Sequence, residues 1–331
     1  MKALIQKLVE SVGPSGFETA VRNLVRAEVE SLADEVRVDA LGNLIARKGT
    51  RAANGLRIML AAHIDEIGVM VTHVDENGFA RFTTIGGVRP HTCMGGRVRF
   101  TNGVQGVIGG ERLEDASRIY SFEQLFIDVG ATSRAECPLK VGDVAAFERP
   151  FLDLGNRLVA KSMDDRVSAA VLVETLRQIK QTPHELVFVF STQEEVGTRG
   201  ATTAAYAADP DLGISVDVTG VGDTPKGLKM EVSLGKGPAI KVRDGGMISD
   251  PRLVRLMVQT AEKASLPYQL EVLEGGTTDA RAMQIARAGM PAGCVSIPCR
   301  YIHSPSEMVD YNDVQNAVRL LVALLSQPVI L

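Results

Sequence analysis

Between Gly68 and about Leu158 the chain carries almost no helical period, and that gap constrains the fold more than any single motif. Short alternating segments recur there instead: Gly68–Val74, Phe79–Ile85, Arg97–Phe100, Val104–Ile108, Leu125–Val129 and Val144–Phe147, separated by Gly, Asn and Asp. Alternation at period two marks half-buried strands. The flanks read differently. Phe17, Ala20, Val21, Leu24, Val25 and Val29 recur at helical spacing after the turn Gly13-Pro14-Ser15-Gly16, and Val36 to Ala46 predicts a strand pair around Gly42-Asn43. Leu56 to Ala62 is a continuous apolar run of strand length that ends in His63-Ile64-Asp65. Beyond the gap, helical texture at Asp165 to Lys180 precedes apolar runs at Leu186–Phe190, Gly213–Val218 and Gly293–Ile297. Helices are expected at Pro251–Ser265, Thr278–Ala288 and Asn312–Ser326. Alternating strands and helices on both sides of an all-β block predict a three-layer α/β domain split by an insertion. The expected division is a discontinuous catalytic domain of residues 1–67 and 159–331, with 68–158 as a small β-barrel-like domain.

Composition removes several function classes. Of 331 residues, 36 are basic and 40 acidic, and no long basic run exists, which argues against a nucleic-acid partner. Trp is absent, which argues against a sugar-stacking cleft. Met1 to Glu10 does not read as a secretory signal, and no apolar stretch approaches membrane-span length. Cys93, Cys137, Cys294 and Cys299 form no CxxC pair, so a reducing cytoplasm is expected and a zinc–thiolate site is not.

The polar residues that matter sit where the apolar runs end. His63, Asp164, Glu195, Asp217 and His303 each lie at or just past a predicted strand or helix boundary, and the ends of buried parallel strands are where open α/β sheets build sites. A mixed imidazole and carboxylate set without sulfur suits Zn²⁺, Co²⁺ or Mn²⁺ in a hydrolytic centre. Two histidines, two terminal carboxylates and one bridging carboxylate meet the needs of a two-metal hydrolase, whose ions sit roughly 3.5–4 Å apart and share a hydroxide. Adjacent Glu194 and Glu195 repel one another unless cations neutralise them, and one of the pair is free to act as general base. Asp65, two residues past His63, is placed to fix its tautomer.

Taken in order, the segments Ala62-His63-Ile64-Asp65-Glu66-Ile67-Gly68, Ser162-Met163-Asp164-Asp165-Arg166, Glu194-Glu195-Val196-Gly197-Thr198-Arg199-Gly200-Ala201, Val216-Asp217-Val218-Thr219 and Ile302-His303-Ser304-Pro305-Ser306-Glu307 resemble the dinuclear glutamyl/leucyl aminopeptidases, which assemble as hollow tetrahedral dodecamers. Each motif is short, but five in order, with a β insertion between the first two, are specific. The resemblance implies two divalent ions per subunit: His63 and Asp217 on one, Glu195 and His303 on the other, and Asp164 bridging. It implies Glu194 as general base, Asp65 as the residue orienting His63, and a cis peptide at Asp164-Asp165. Gly275-Gly276-Thr277-Thr278-Asp279-Ala280 resembles the family's Gly-Thr-Asp-Ala stretch with Thr277 where a Gly is common, which makes Thr278 and Asp279 candidates for a place behind the site. The implied activity is hydrolysis of the N-terminal peptide bond of short peptides by a homo-oligomer, with the β insertion mediating subunit contact.

Alternatives remain open at the level of sequence. The same metal centre would serve a deacylase or a carboxypeptidase, a carboxylate pair such as Glu194 and Asp217 would serve a glycoside hydrolase, and a noncatalytic scaffold would need neither. The β insertion reads equally as a monomeric, edge-rich lid. Asp165 reads as a helix N-cap, His73 and His184 as exposed residues, and His91 as a loop residue within possible reach of a site.

Overall fold

The apolar run before His63 forms the strand Arg57–His63, and both of its faces are dry. Ile58, Leu60 and Ala62 join one hydrophobic core, while Met59 and Ala61 point into a second on the opposite face. Glu185–Ser191 repeats the pattern, with Phe188 and Phe190 on the first side and Val187 and Val189 on the second. Side chains alternate across a strand, so a continuous apolar run is what a strand covered on both sides requires.

In this computed structural model, which describes residues 1–115 and 117–331, these strands belong to an 11-stranded sheet. Ala116, within the 68–158 insertion, lies outside the described residues. Glu185–Ser191, Arg57–His63, Leu212–Thr219 and Ala292–Arg300 run parallel at the sheet's centre. Glu35–Val38 and Leu44–Lys48 extend one side antiparallel, as the Gly42-Asn43 turn predicts. Glu307–Asp310, Arg157–Ala160 and Leu152–Asp153 extend the other. Helices Lys2–Val9, Thr19–Val29, Met163–Gln178, Pro251–Lys263 and Tyr311–Leu325 bury their apolar sides on one face. Arg199–Ala208 and Asp279–Gln284 cover the other. Asp250 and Asp310 cap two of these helices, accepting from the backbone N–H of Arg252 and Asn312 at 2.8 and 2.7 Å.

The all-β block is a closed barrel of six antiparallel strands in the order Gly68–Val74, Ala80–Ile85, Leu125–Asp128, Gln105–Gly110, Arg97–Phe100 and Val144–Glu148. Its own core includes Val69, Val71, Phe82, Val98, Phe100, Ile108, Ile127 and Phe147. Closure pairs every strand on both sides, so the insertion is not edge-rich. The last barrel strand ends at Glu148, and the chain is back in the large sheet by Leu152. No helix among the described residues is long and apolar enough to cross a membrane.

His184, expected to be exposed, is fully buried. Its Nδ1 accepts from the Leu56 N–H at 3.0 Å and its Nε2 donates to the Gln327 carbonyl at 2.9 Å, so the ring is a neutral staple between two distant segments. Burial lowers its pKa from the usual value, which suits that neutral state.

Candidate metal centre and active site

Parallel register brings the first pair of candidates together. Ser215 lies beside Ala61, and continuing that register sets Asp217 beside His63 at the carboxyl end of the sheet. The neighbouring strand Glu185–Ser191 leads there into Glu194 and Glu195. Asp164 arrives from the start of helix Met163–Gln178, where Asp164 and Asp165 have non-helical backbone angles and their shared peptide is cis. His303 follows the strand Ala292–Arg300 in a left-handed turn, with φ 62°.

The two oxygens of Asp164 point to different histidines. Oδ1 lies 3.0 Å from His63 Nε2, and Oδ2 lies 3.3 Å from His303 Nε2. His303 Nε2 is also 3.1 Å from Glu195 Oε2, and His63 Nε2 is 3.9 Å from Glu194 Oε2. Donor atoms of His63, Asp164 and Glu195 lie within 4.8 Å of one another, as do those of His63, Asp165 and Asp217. His63, Asp164, Glu194, Glu195, Asp217 and His303 all line one cavity of 430 Å³. A larger cleft of 670 Å³ between the N-terminal segment and the barrel, beside Phe17 and Arg99, contains none of these donors.

Asp65 stands behind this edge, fully buried. His63 Nδ1 is 3.2 Å from its backbone oxygen and 3.4 Å from its Oδ1. The same carboxylate accepts from Ser15 Oγ at 2.6 Å and from the backbone N–H groups of Glu194 and Glu195 at 3.0 and 3.1 Å. Asp65 therefore ties the His63 ring to the backbone that presents both glutamates. Asp165 corrects its reading as a helix cap: it is fully buried, accepts from the His63 N–H at 3.3 Å and leaves Oδ1 without a partner.

The electrostatics are those of a site short of positive charge. Burial, and then the charges of Asp217, Asp279 and Glu195, raise the Glu194 carboxyl well above the usual range. Burial and the charges of Asp164 and Asp279 do the same to Asp217. Asp164 is shifted the other way: burial opposes its charge, but its hydrogen bonds to His303 and His63 outweigh that. The His303 ring, despite burial, is pushed up to about 11 by Asp164 and Glu195. Buried carboxylates facing two imidazoles, with nitrogen and oxygen donors only, match the donor chemistry of divalent hydrolytic cations and leave negative charge for such cations to offset.

Thr278 caps the helix Asp279–Gln284 and lies 3.1 Å from Ser215 Oγ. Asp279 is buried, bonded to Ser191 Oγ, and raised to about 6 by burial and the charge of Asp65. His91 is exposed in the short helix Pro90–Cys93, away from the cavity wall, and His73 is exposed on its barrel strand.

Three features carry no role in the sequence reading. Glu307 is buried, and its two oxygens accept from the Asp164 and His303 N–H groups, each at 2.8 Å. Glu66 accepts from Lys161 Nζ at 2.7 Å, Ser162 Oγ at 2.5 Å, Gly13 N at 2.8 Å and Arg166 Nη2 at 3.2 Å. The turn Gly86-Gly87 lies against Glu195 and His303. The only sequence signal for the first two was their place inside motifs, four residues after His303 and three after His63.

A doubly covered parallel sheet with two histidines and several carboxylates crowded at its carboxyl edge defines a hydrolase of the metallopeptidase type. Residues 42–320 match the M42 glutamyl aminopeptidase family, and the chain belongs to that family. It is a peptidase, an aminopeptidase in kind. The lysyl aminopeptidase of Pyrococcus furiosus is 37% identical over 340 residues, spanning 98% of this chain and 96% of that protein. An aminopeptidase from the archaeon Desulfurococcus kamchatkensis superposes with a TM-score of 0.94 at 40% identity, covering 98% of this chain and 94% of that one. The TET1 peptidase of Pyrococcus horikoshii, described as able to assemble into a tetrahedron or a large octahedral shell, gives 0.89 at 31% identity over 98% and 99% of the two chains.

Proposed function

We propose that this chain is a two-metal aminopeptidase acting on short peptides, with His63 and Asp217 holding one divalent ion, Glu195 and His303 the other, and Asp164 shared between them. The observation that carries this reading is the split of Asp164, one oxygen toward each histidine, at 3.0 and 3.3 Å. Bound there, Zn²⁺, Co²⁺ or Mn²⁺ would act as Lewis acids and make water available as a nucleophile near neutral pH. Glu194, beside the cavity with its carboxylate held in a mostly buried position, takes the proton of the attacking water and returns it to the leaving amine. Asp65 holds the His63 ring with Nε2 toward the cavity. The excess of carboxylates on the wall suits a substrate that brings a free α-ammonium group, which makes the enzyme an exopeptidase.

The test uses unblocked and N-acetylated peptides, with and without chelator. Two equivalents of metal per chain, activity lost on chelation and restored by divalent ions, and no cleavage of acetylated peptides are expected. Cleavage of acetylated peptides moves the activity to a deacylase or carboxypeptidase, and chelator-insensitive activity removes the metal reading.

The same reading assigns residues 1–67 and 159–331 to catalysis and 68–158, with the barrel at its centre, to subunit contact in a tetrahedral dodecamer. Support comes from the assembly described for the Pyrococcus horikoshii relative. Light scattering should return a mass twelve times that of the 35.5 kDa chain, and a monomeric mass at micromolar concentration would refute it. All four cysteines are free, in keeping with a reducing cytoplasm.

A further inference from the structure

The two histidines of the site are held in different ways. His63 Nδ1 meets Asp65, at 3.2 Å from the backbone oxygen and 3.4 Å from Oδ1. That is the usual arrangement for a ligating histidine, whose second nitrogen is fixed by a hydrogen bond. His303 Nδ1 has no hydrogen-bond partner among the described residues, although its Nε2 faces Asp164 and Glu195. A second constraint acts on the Nδ1 side of that ring.

The barrel supplies it. Strand Ala80–Ile85 leaves the barrel into Gly86-Gly87, before the helix Pro90–Cys93. A β-carbon on Gly87 would lie 2.3 Å from His303 Nδ1 and 2.6 Å from Cε1. A β-carbon on Gly86 would lie 3.1 Å from Glu195 Cβ and 2.9 Å from Ile67 Cγ2, and Gly86 has φ +73°. Bare backbone from the inserted unit thus packs closely against the two residues assigned to one ion. A methyl group at Gly87 would occupy the space of the imidazole edge, so the ring and that methyl exclude one another.

We propose that Gly87, with Gly86 beside it, is a positioning residue for His303: the barrel turn fixes the imidazole by packing where Asp65 fixes His63 by hydrogen bonding. This rests on the metal reading above. It also gives the insertion a part in the catalytic centre of its own subunit, separate from any subunit contact.

The test is calorimetric titration of metal-free protein with Zn²⁺ or Co²⁺, alongside thermal unfolding of the metal-free state. Wild type should show two binding steps. Gly87→Ala should weaken one step by about 10–100-fold, the range for loss of a group that orients a ligand, and leave the other within about twofold. In a His303→Ala background, adding Gly87→Ala should change neither the remaining step nor the unfolding midpoint, because the ring that the methyl would strike is gone. Gly275→Ala, at a glycine with open space around it, should leave both steps intact. Two unaltered steps in Gly87→Ala, equal weakening of both, or the same loss with and without the His303 ring would overturn the proposal. Should Gly87→Ala fail to fold, the double variant decides, since it folds only if the ring contact is the cause. Wild type binding fewer than two ions overturns the two-ion reading itself, and this one with it.

Discussion

Replacing Glu194 by glutamine should lower kcat by about 10²–10⁴ while the protein stays folded and keeps its metal. Glutamine matches the size of glutamate, but its amide has no basic oxygen to take a proton. The loop need not move, because it is the backbone N–H of Glu194, not its side chain, that Asp65 holds at 3.0 Å. The loss belongs in kcat, since proton transfer is made in the transition state and not on binding. Steady-state kinetics on an unblocked aminoacyl substrate, with metal content measured on the same sample, checks it. An unchanged kcat would remove Glu194 from the chemistry. Loss of one metal equivalent would make it a ligand, and the base would have to be sought elsewhere.

The largest stability effect is expected at Arg166, which no solvent reaches. Its guanidinium donates to the carbonyls of Ile64 at 2.6 Å, Leu8 at 2.7 Å, Ser11 at 3.0 Å and Gly13 at 3.3 Å, and to Glu66 at 3.2 Å. One side chain thus terminates the first helix, pins the N-terminal loop and holds the backbone just past His63. Arg166→Met strands those carbonyls and leaves Glu66 with Lys161 as its sole cation. Breaking a buried pair in this way costs about 3–5 kcal/mol, and for a chain of this length the midpoint of thermal unfolding should fall by about 4–7 °C. Arg26→Ala, which removes an exposed i,i+4 pair with Glu30, should leave the midpoint unchanged. Equal midpoints for Arg166→Met and wild type would show that the cluster contributes no net stability.

How far the sequence could be read depends on whether a signal is local. The barrel strands were legible because each alternates within itself, and the central strands because a run covered on both faces must be apolar throughout. Their ends then named His63, Glu194, Glu195 and Asp217 as residues that break such runs. The helices Lys2–Val9 and Arg199–Ala208 and the strands Ala239–Arg243, Gln269–Val272 and Glu307–Asp310 are absent from the sequence expectation, each being short, at 4 to 10 residues. Asp165 and His184 depart from the sequence expectation for a different reason. Both are polar residues in segments that look like surface turns, and their partners come from far away: His63 is 102 positions from Asp165, and Leu56 is 128 from His184. Nothing local distinguishes a carboxylate that caps a helix from one that supports a histidine beneath the cavity. The same applies to Glu66, whose partner Lys161 is 95 positions away, across the whole insertion.

The cavity has two unlike walls. One is the sheet edge, where contacts link His63, Asp164, His303 and Glu195 in a chain, so that moving one disturbs its neighbours. The other comes from the connecting segments around Gly220, Leu273 and Thr277 and from Arg281 on the helix Asp279–Gln284, whose side chains share no hydrogen bond with that cluster among the described residues. Substitutions in those segments can therefore reshape the cavity without touching the contacts that hold His63, Asp164, Glu195 and His303 together.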